Sequence, residues 1–178
     1  MPSFLAYVVV GGAAALVTFV CVPIMIRLAP RLGTMVLPSE RHVHTGPTPT
    51  AGGAAMILGV IVAVAVAAAH PEFSEVMEAR TEIVGVVVAA CVMWSIGFVD
   101  DLREISAPAK IAGMVLSGSI LSLTGVSILV FRVPFFDLLV LSADWSFFVT
   151  VVWVVSIANI VNLVDGLDGL AAGIVAIA

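Results

Sequence analysis

The sequence has few charged residues. Only seven of its 178 residues are lysine or arginine and twelve are aspartate or glutamate, for a formal net charge of −5. No cluster of basic residues is present, so a nucleic-acid partner is excluded. The two cysteines, Cys21 and Cys91, lie inside apolar runs and indicate buried thiols rather than a disulfide framework. With no repeat or low-complexity linker to divide it, residues 1–178 are predicted to form one integral-membrane domain.

Long apolar runs dominate what is present. Hydrophobic residues make up 62% of the chain, and its mean hydropathy is +1.24. A helix of about 20 apolar residues crosses roughly 30 Å of hydrocarbon. We therefore predict an all-α, multi-pass transmembrane helical bundle of about five spans and the start of a sixth. The predicted spans are residues 4–26, 52–69, 83–99, 111–123 and 145–161, with 170–178 beginning the sixth.

The basic residues are unevenly distributed among the predicted loops. The segments after the first and third spans carry five of the seven, whereas the acidic segment 70–82 and the segment after the fourth span carry one each. Because cytoplasmic loops are enriched in lysine and arginine, we expect the N-terminus to lie outside. The expected location is the plasma membrane. Segment 126–141 mixes β-branched and aromatic residues around Pro134, which predicts a short hairpin on the outer side.

Amides and carboxylates interrupt the apolar sequence near its C-terminal end. Asn159, Asn162 and Asp165 are three residues apart, so on a helix they form one slowly winding polar stripe, and Asp168 follows among glycines. Polar and ionisable groups at the edge of a bilayer tend to face water, pair with each other or bind a cation. The stripe predicts a magnesium or phosphate site on the cytoplasmic side.

A second acidic group, Asp100 and Asp101, lies where the third span meets the cytoplasm. Adjacent carboxylates repel unless a cation or a basic neighbour neutralises them. Magnesium binds one or two carboxylates and completes its octahedron with water and phosphate oxygens. The alternative is a solvated helix end, with Arg103 and Glu104 as ordinary interfacial charges.

The loop before the second span is the third candidate element. His42 and His44 are two residues apart, so an extended segment would place both on one side and a metal pair is conceivable. The favoured alternative is that both imidazoles are solvated in an interfacial loop. A third interpretation is that they contact a phosphate. Prolines and glycines around Thr48 and Thr50 impose turns. This loop can hold groups over a site on the cytoplasmic side.

These three elements together resemble a family, the polyprenyl-phosphate N-acetylhexosamine-1-phosphate transferases. Segments 48–53, 98–101 and 159–170 resemble three family motifs in the family's order. Segment 41–44 is more similar to the branch that uses UDP-N-acetylglucosamine, and the lysine that the muramoyl-pentapeptide branch usually has before the Thr-Pro-Thr motif is absent. The resemblance implies transfer of N-acetylglucosamine 1-phosphate to a polyprenyl phosphate such as undecaprenyl or decaprenyl phosphate, with release of UMP. This would be the first lipid-linked step of cell-wall or surface polysaccharide synthesis.

The resemblance also implies roles for individual residues. Mg²⁺, or Mn²⁺ in its place, would be shared with a residue beyond this chain and held here by Asp100, Asp101, Asn162 and Asp165. The catalytic residues would be Asp100, Asp101 and Asp165, with the adjacent aspartates beside the lipid phosphate. Asp168 would contact the uracil and Lys110 a substrate phosphate. The other substrate-binding residues would be Asn162, Asn159, Thr50 and His44.

The resemblance covers nearly the whole chain, but only the N-terminal half of a family member with ten or eleven spans. A further aspartate and a histidine-rich loop would lie in the other half, so we expect residues 1–178 alone to be inactive. A homodimer is compatible with the family. Three alternatives are the muramoyl-pentapeptide branch, an aspartate-rich prenyltransferase and a transporter. The polar residues of such prenyltransferases favour spacings of four rather than three. A transporter's site is expected near the bilayer midplane rather than at the cytoplasmic rim.

Overall fold

The computed structural model describes residues 2–36, 48–103, 105–132, 138–164 and 170–177. The helices within these ranges are α1 (Phe4–Leu32), α2 (Gly52–Ala69), a 3-10 turn (Pro71–Phe73), α3 (Ser74–Glu78), α4 (Arg80–Leu102), α5 (Ala107–Leu123), α6 (Ala143–Val164) and α7 (Leu170–Ile177). Two antiparallel strand pairs accompany them: β1 (Met35–Val36) with β2 (Thr48–Pro49), and β3 (Val130–Arg132) with β4 (Leu138–Val140).

The described helices have the character of membrane spans. Helices α1, α2, α4 and α6 are long and apolar enough to cross a bilayer, and α5 is a shorter apolar helix of 17 residues. Many large apolar side chains are exposed, among them Phe19 at 77% and Leu163 at 86%. Such a surface is stable only against lipid or further protein. The predicted all-α, multi-pass membrane bundle is confirmed.

Small residues bring the helices together. Helix α1 packs on α2, α4 on α5 and α5 on α6, with a lesser contact between α2 and α4. A Cβ atom on Gly118 would lie 3.1 Å from Val151 Cα, so α5 and α6 approach almost backbone to backbone there. In membranes, where lipid is as apolar as leucine, such close approach provides much of the helix association. The packing sets the C-terminal end of α4, the start of α5 and the end of α6 side by side.

Parts of the segments predicted as loops are helical, including Lys110, which lies on α5. Helix α1 continues to Leu32 rather than ending at residue 26, so Arg27 and Arg31 lie on the helix and not in a loop. An apolar run stops at the first charge, but helical hydrogen bonding continues because arginine side chains extend to the polar interface and favour a helix C-terminus. The helix ends at Gly33, whose φ of 74° is the left-handed conformation that glycine adopts readily.

The acidic segment 70–82, predicted as a loop, is largely helical. His70 accepts a hydrogen bond from the Glu72 N–H at the start of the 3-10 turn, α3 follows, and α4 already begins at Arg80. Charge defines where a segment leaves the hydrocarbon, not whether it is helical. The antiparallel pairing predicted within 126–141 is present, with Phe131 opposite Leu139, while Pro134 lies outside the described residues. The place of this pairing on the outer side stays a prediction.

Candidate active site between helices α4, α5 and α6

A cavity of about 400 Å³ lies between α4, α5 and α6. Three residues that the sequence singled out line it, namely Asp100 near the end of α4, Lys110 near the start of α5 and Asn162 near the end of α6. The rest of its lining is apolar: Met93, Ile96, Gly97, Met114, Ala158 and Val161. The volume is within the usual range for a small-molecule site. The structure therefore gathers a carboxylate, an ammonium and an amide at one end of an otherwise apolar cavity.

Asp100 has a partner on each carboxylate oxygen. Lys110 Nζ lies 2.7 Å from Oδ2, and the backbone N–H of Ile105 donates to Oδ1 at 3.2 Å. The short connection between α4 and α5 produces this arrangement, because it returns the first turn of α5 to the last turn of α4. The Lys110 and Asp100 side chains are 37% and 27% exposed. Such a pair adds little to folding but keeps a positive charge at the cavity.

Asp101 has different partners from Asp100. The Thr50 side chain lies beside its carboxylate, while Lys110 attracts it at longer range. Thr50 is in turn fixed by Thr34, whose backbone carbonyl accepts from the Thr50 N–H at 3.1 Å and from its hydroxyl at 3.3 Å. The β1 and β2 pairing holds Thr34 and Thr50 together. Successive residues of a helix project about 100° apart, which explains why the two aspartates meet different elements.

The amides of α6 also differ from one another. Asn162 lines the cavity, whereas Asn159 Nδ2 donates to the Val155 carbonyl at 2.8 Å and to Met114 Sδ at 3.2 Å. Asn159 therefore contacts a residue of the cavity wall from outside the cavity. The contact between Asn159 and substrate stays a prediction.

Three of the predicted site residues, Asp165, Asp168 and His44, lie outside the described residues. Within the described ranges, no three histidine, cysteine, aspartate or glutamate side chains are close enough together to hold a metal ion. Asp100 and Asn162, which line the cavity, carry hard oxygen atoms of the kind that magnesium accepts, and magnesium needs few ligands from the protein.

Two residues near the site were not identified from the sequence. Gly97 lines the cavity, and its position three residues before Asp100 was a signal that both share a helix face. Thr34 is fully buried, and its Oγ1 has no hydrogen-bond partner among the described residues. Nothing in the local sequence indicated that the Thr34 carbonyl would anchor Thr50.

Comparisons with known proteins identify relatives of this chain. The family model described as Glycosyl transferase family 4 matches residues 83–178. A decaprenyl-phosphate N-acetylglucosaminephosphotransferase from Mycobacterium tuberculosis is 39% identical over 125 residues, which cover 70% of this chain and 31% of that protein. A probable undecaprenyl-phosphate N-acetylglucosaminyl 1-phosphate transferase from Bacillus subtilis is 32% identical over 171 residues, covering 96% and 46%.

A third relative has another name. A phospho-N-acetylmuramoyl-pentapeptide-transferase from Desulforudis audaxviator is 38% identical over 193 aligned positions, covering 96% of this chain and 57% of that protein. The chain therefore spans between about a third and somewhat more than half of these relatives. No solved structure matches it.

Proposed function

This chain belongs to glycosyl transferase family 4, and we propose that the protein carrying it transfers N-acetylglucosamine 1-phosphate from UDP-N-acetylglucosamine to a polyprenyl phosphate. UMP is released, and the product is the first lipid-linked intermediate of a cell-wall or surface polysaccharide. The observation that supports this most is the cavity in which Asp100, Lys110 and Asn162 meet. The mycobacterial and Bacillus relatives bear the names of transferases of this kind.

The cavity suits a lipid phosphate. Its charged and amide groups lie at one end, and its remaining wall is apolar, including Met93 and Met114. A polyprenyl phosphate is likewise a charged head on an apolar chain. Lys110 supplies the positive charge that a phosphate oxygen needs, and methionine side chains adapt to an irregular apolar ligand.

The proposed chemistry is a phosphoryl-group substitution. An oxygen of the acceptor phosphate attacks the sugar-linked phosphorus of the donor in line, and the bond from that phosphorus to the oxygen of UMP breaks. Lys110 holds the acceptor phosphate, and one carboxylate of the Asp100 and Asp101 pair removes its proton where it is still protonated. Thr50 lies beside Asp101. Most of the rate enhancement then comes from positioning and electrostatic stabilisation.

Magnesium fits the donor set, with Asp100, Asp101, Asn162 and Asp165 as its proposed protein ligands and Mn²⁺ as a substitute that accepts the same oxygen donors. When bound, the ion would neutralise charge on the donor diphosphate and the departing UMP. Asp168 is proposed to contact the uracil. Further contacts with substrate are proposed for Asn159, Thr50 and His44.

The proposed setting is the plasma membrane, with the N-terminus outside and the active site on the cytoplasmic side. The arginines at the end of α1 and the pair Arg103 and Lys110 support this orientation. A homodimer is the proposed assembly. Residues 1–178 expressed alone should show no transfer, because the remaining ligands of the metal and diphosphate are proposed to lie beyond them.

A transfer assay with a choice of donors tests the proposal. The full-length protein, purified in detergent, is given a long polyprenyl phosphate and either UDP-N-acetylglucosamine or UDP-N-acetylmuramoyl-pentapeptide, and UMP release is measured. We expect release with the first donor. A clear preference for the second would assign the protein to the activity named for the Desulforudis relative, and release with neither would contradict the proposal.

A further inference from the structure

We propose that Gly97 makes room for the acceptor lipid, because its missing side chain leaves the space in which the phosphate-proximal end of the polyprenyl chain lies. This inference rests on the proposed function. It assigns that part of the acceptor to the cavity between α4, α5 and α6.

No close packing among the described helices requires a glycine at position 97. A Cβ atom built on it meets no atom of the described residues within 4 Å, although the residue lines the cavity. Gly113 on α5 is different, because a Cβ there would come within 2.7 Å of Ile96 Cγ1. Glycine weakens a helix interior without making a contact of its own. A side chain at position 97 would therefore fill the space in front of this residue.

This space adjoins the charged end of the cavity. Gly97 lies three residues before Asp100 on α4, nearly one helical turn, so the two project to the same side. Both line the same cavity as Lys110. A phosphate held by the Lys110 ammonium would place the first carbons of its chain beside Gly97.

The acceptor chain is branched along its length. A polyprenyl chain carries a methyl branch on every unit, so it is wider than an unbranched acyl chain and needs a wall section without a side chain. Met93 and Met114 complete that wall and adapt to irregular shapes. A side chain at position 97 would narrow the cavity where this width is needed.

The experiment compares the full-length wild type with Gly97→Ala, Gly97→Leu and the control Gly12→Leu. Gly12 lies on α1, away from the cavity, and a Cβ atom on it also meets nothing within 4 Å in the described structure. KM is measured separately for polyprenyl phosphate and for UDP-N-acetylglucosamine. We expect Gly97→Leu to raise the acceptor KM about tenfold or more, Gly97→Ala to raise it less, and the donor KM and the Gly12→Leu variant to stay near wild type.

An unchanged acceptor KM in active Gly97→Leu protein would overturn the inference. If that variant fails to fold by its melting temperature, Gly97→Ala decides: a raised acceptor KM supports the inference and a wild-type value overturns it. Failure of the proposed function appears differently, as an absence of transfer by the wild type, and would remove this inference as well.

Discussion

Lys110 Nζ lies 2.7 Å from Asp100 Oδ2, and both side chains line the same cavity. The pair joins the first turn of α5 to the last turn of α4. Because both groups are partly exposed, the ion pair contributes little to folding. The ion pair keeps the Lys110 ammonium beside the Asp100 carboxylate at the end of an apolar cavity. A substrate phosphate that enters the cavity can compete with Asp100 for the ammonium.

Replacing Lys110 should impair use of the acceptor. Lys110→Met keeps a similar length but removes the charge, and we expect kcat/KM for polyprenyl phosphate to fall roughly 10- to 100-fold, because a charge-assisted contact with phosphate is lost. Lys110→Arg retains the charge and should retain more activity. Steady-state kinetics at saturating donor measure both. Wild-type kinetics in Lys110→Met would contradict the assignment.

Thr50 and Asp101 should act as a coupled pair. Asp101→Asn is expected to lower turnover by orders of magnitude, and Thr50→Val by roughly tenfold, because Thr50 lies beside the Asp101 carboxylate and its loss would loosen the position of that group. In the double variant the Thr50 substitution should add less than it does alone, since part of its effect passes through Asp101. A double-mutant cycle on kcat/KM measures the coupling. Fully additive effects would show that Thr50 acts independently of Asp101.

Glu72 should make stability depend on pH. The Ser3 backbone N–H donates to its carboxylate, and this holds the pKa of Glu72 below the usual 4.5. The contribution to stability is therefore complete above the unfolded-state pKa and is lost as pH falls through the lowered folded-state pKa. We expect Glu72→Gln to lower the melting temperature at pH 7 and to weaken the further decrease below about pH 4.5.

Glu75→Gln, at a nearby exposed glutamate on α3, is the matched control for that experiment. Thermal unfolding in detergent at neutral and acidic pH provides the readout. Identical pH profiles for wild type and Glu72→Gln would show that the contact with Ser3 contributes nothing.

Orientation can be tested by thiol labelling. Single cysteines replace Ser106, exposed between α4 and α5, or Glu75, in a background lacking Cys21 and Cys91. We expect an impermeant reagent to label position 75 in intact cells and position 106 only after permeabilisation, because the basic residues favour a cytoplasmic α4 to α5 connection. The reverse pattern would invert the proposed topology.

Much of the fold followed from the sequence because a bilayer permits few alternatives. Apolar runs predicted the helices, but hydropathy could not predict that α1 continues through Arg27 to Leu32, since charged side chains end a span without ending a helix. The candidate residues Asp100, Lys110 and Asn162 were also identified from the sequence. Their sharing of one cavity, and the separate partners of Asp100 and Asp101, depend on helix packing and on the β1 and β2 pairing, which no local pattern encodes.

The most direct measurement follows the sugar-linked phosphorus of UDP-N-acetylglucosamine during transfer by the full-length protein and by Asp100→Asn. With a phosphorus label at that position and polyprenyl phosphate as acceptor, the wild type should place the label in the lipid and release unlabelled UMP when magnesium is present. Asp100→Asn should slow this by about 100-fold or more while still inserting into membranes. Label remaining in released UDP, or a wild-type rate from Asp100→Asn, would contradict phosphosugar transfer at this cavity.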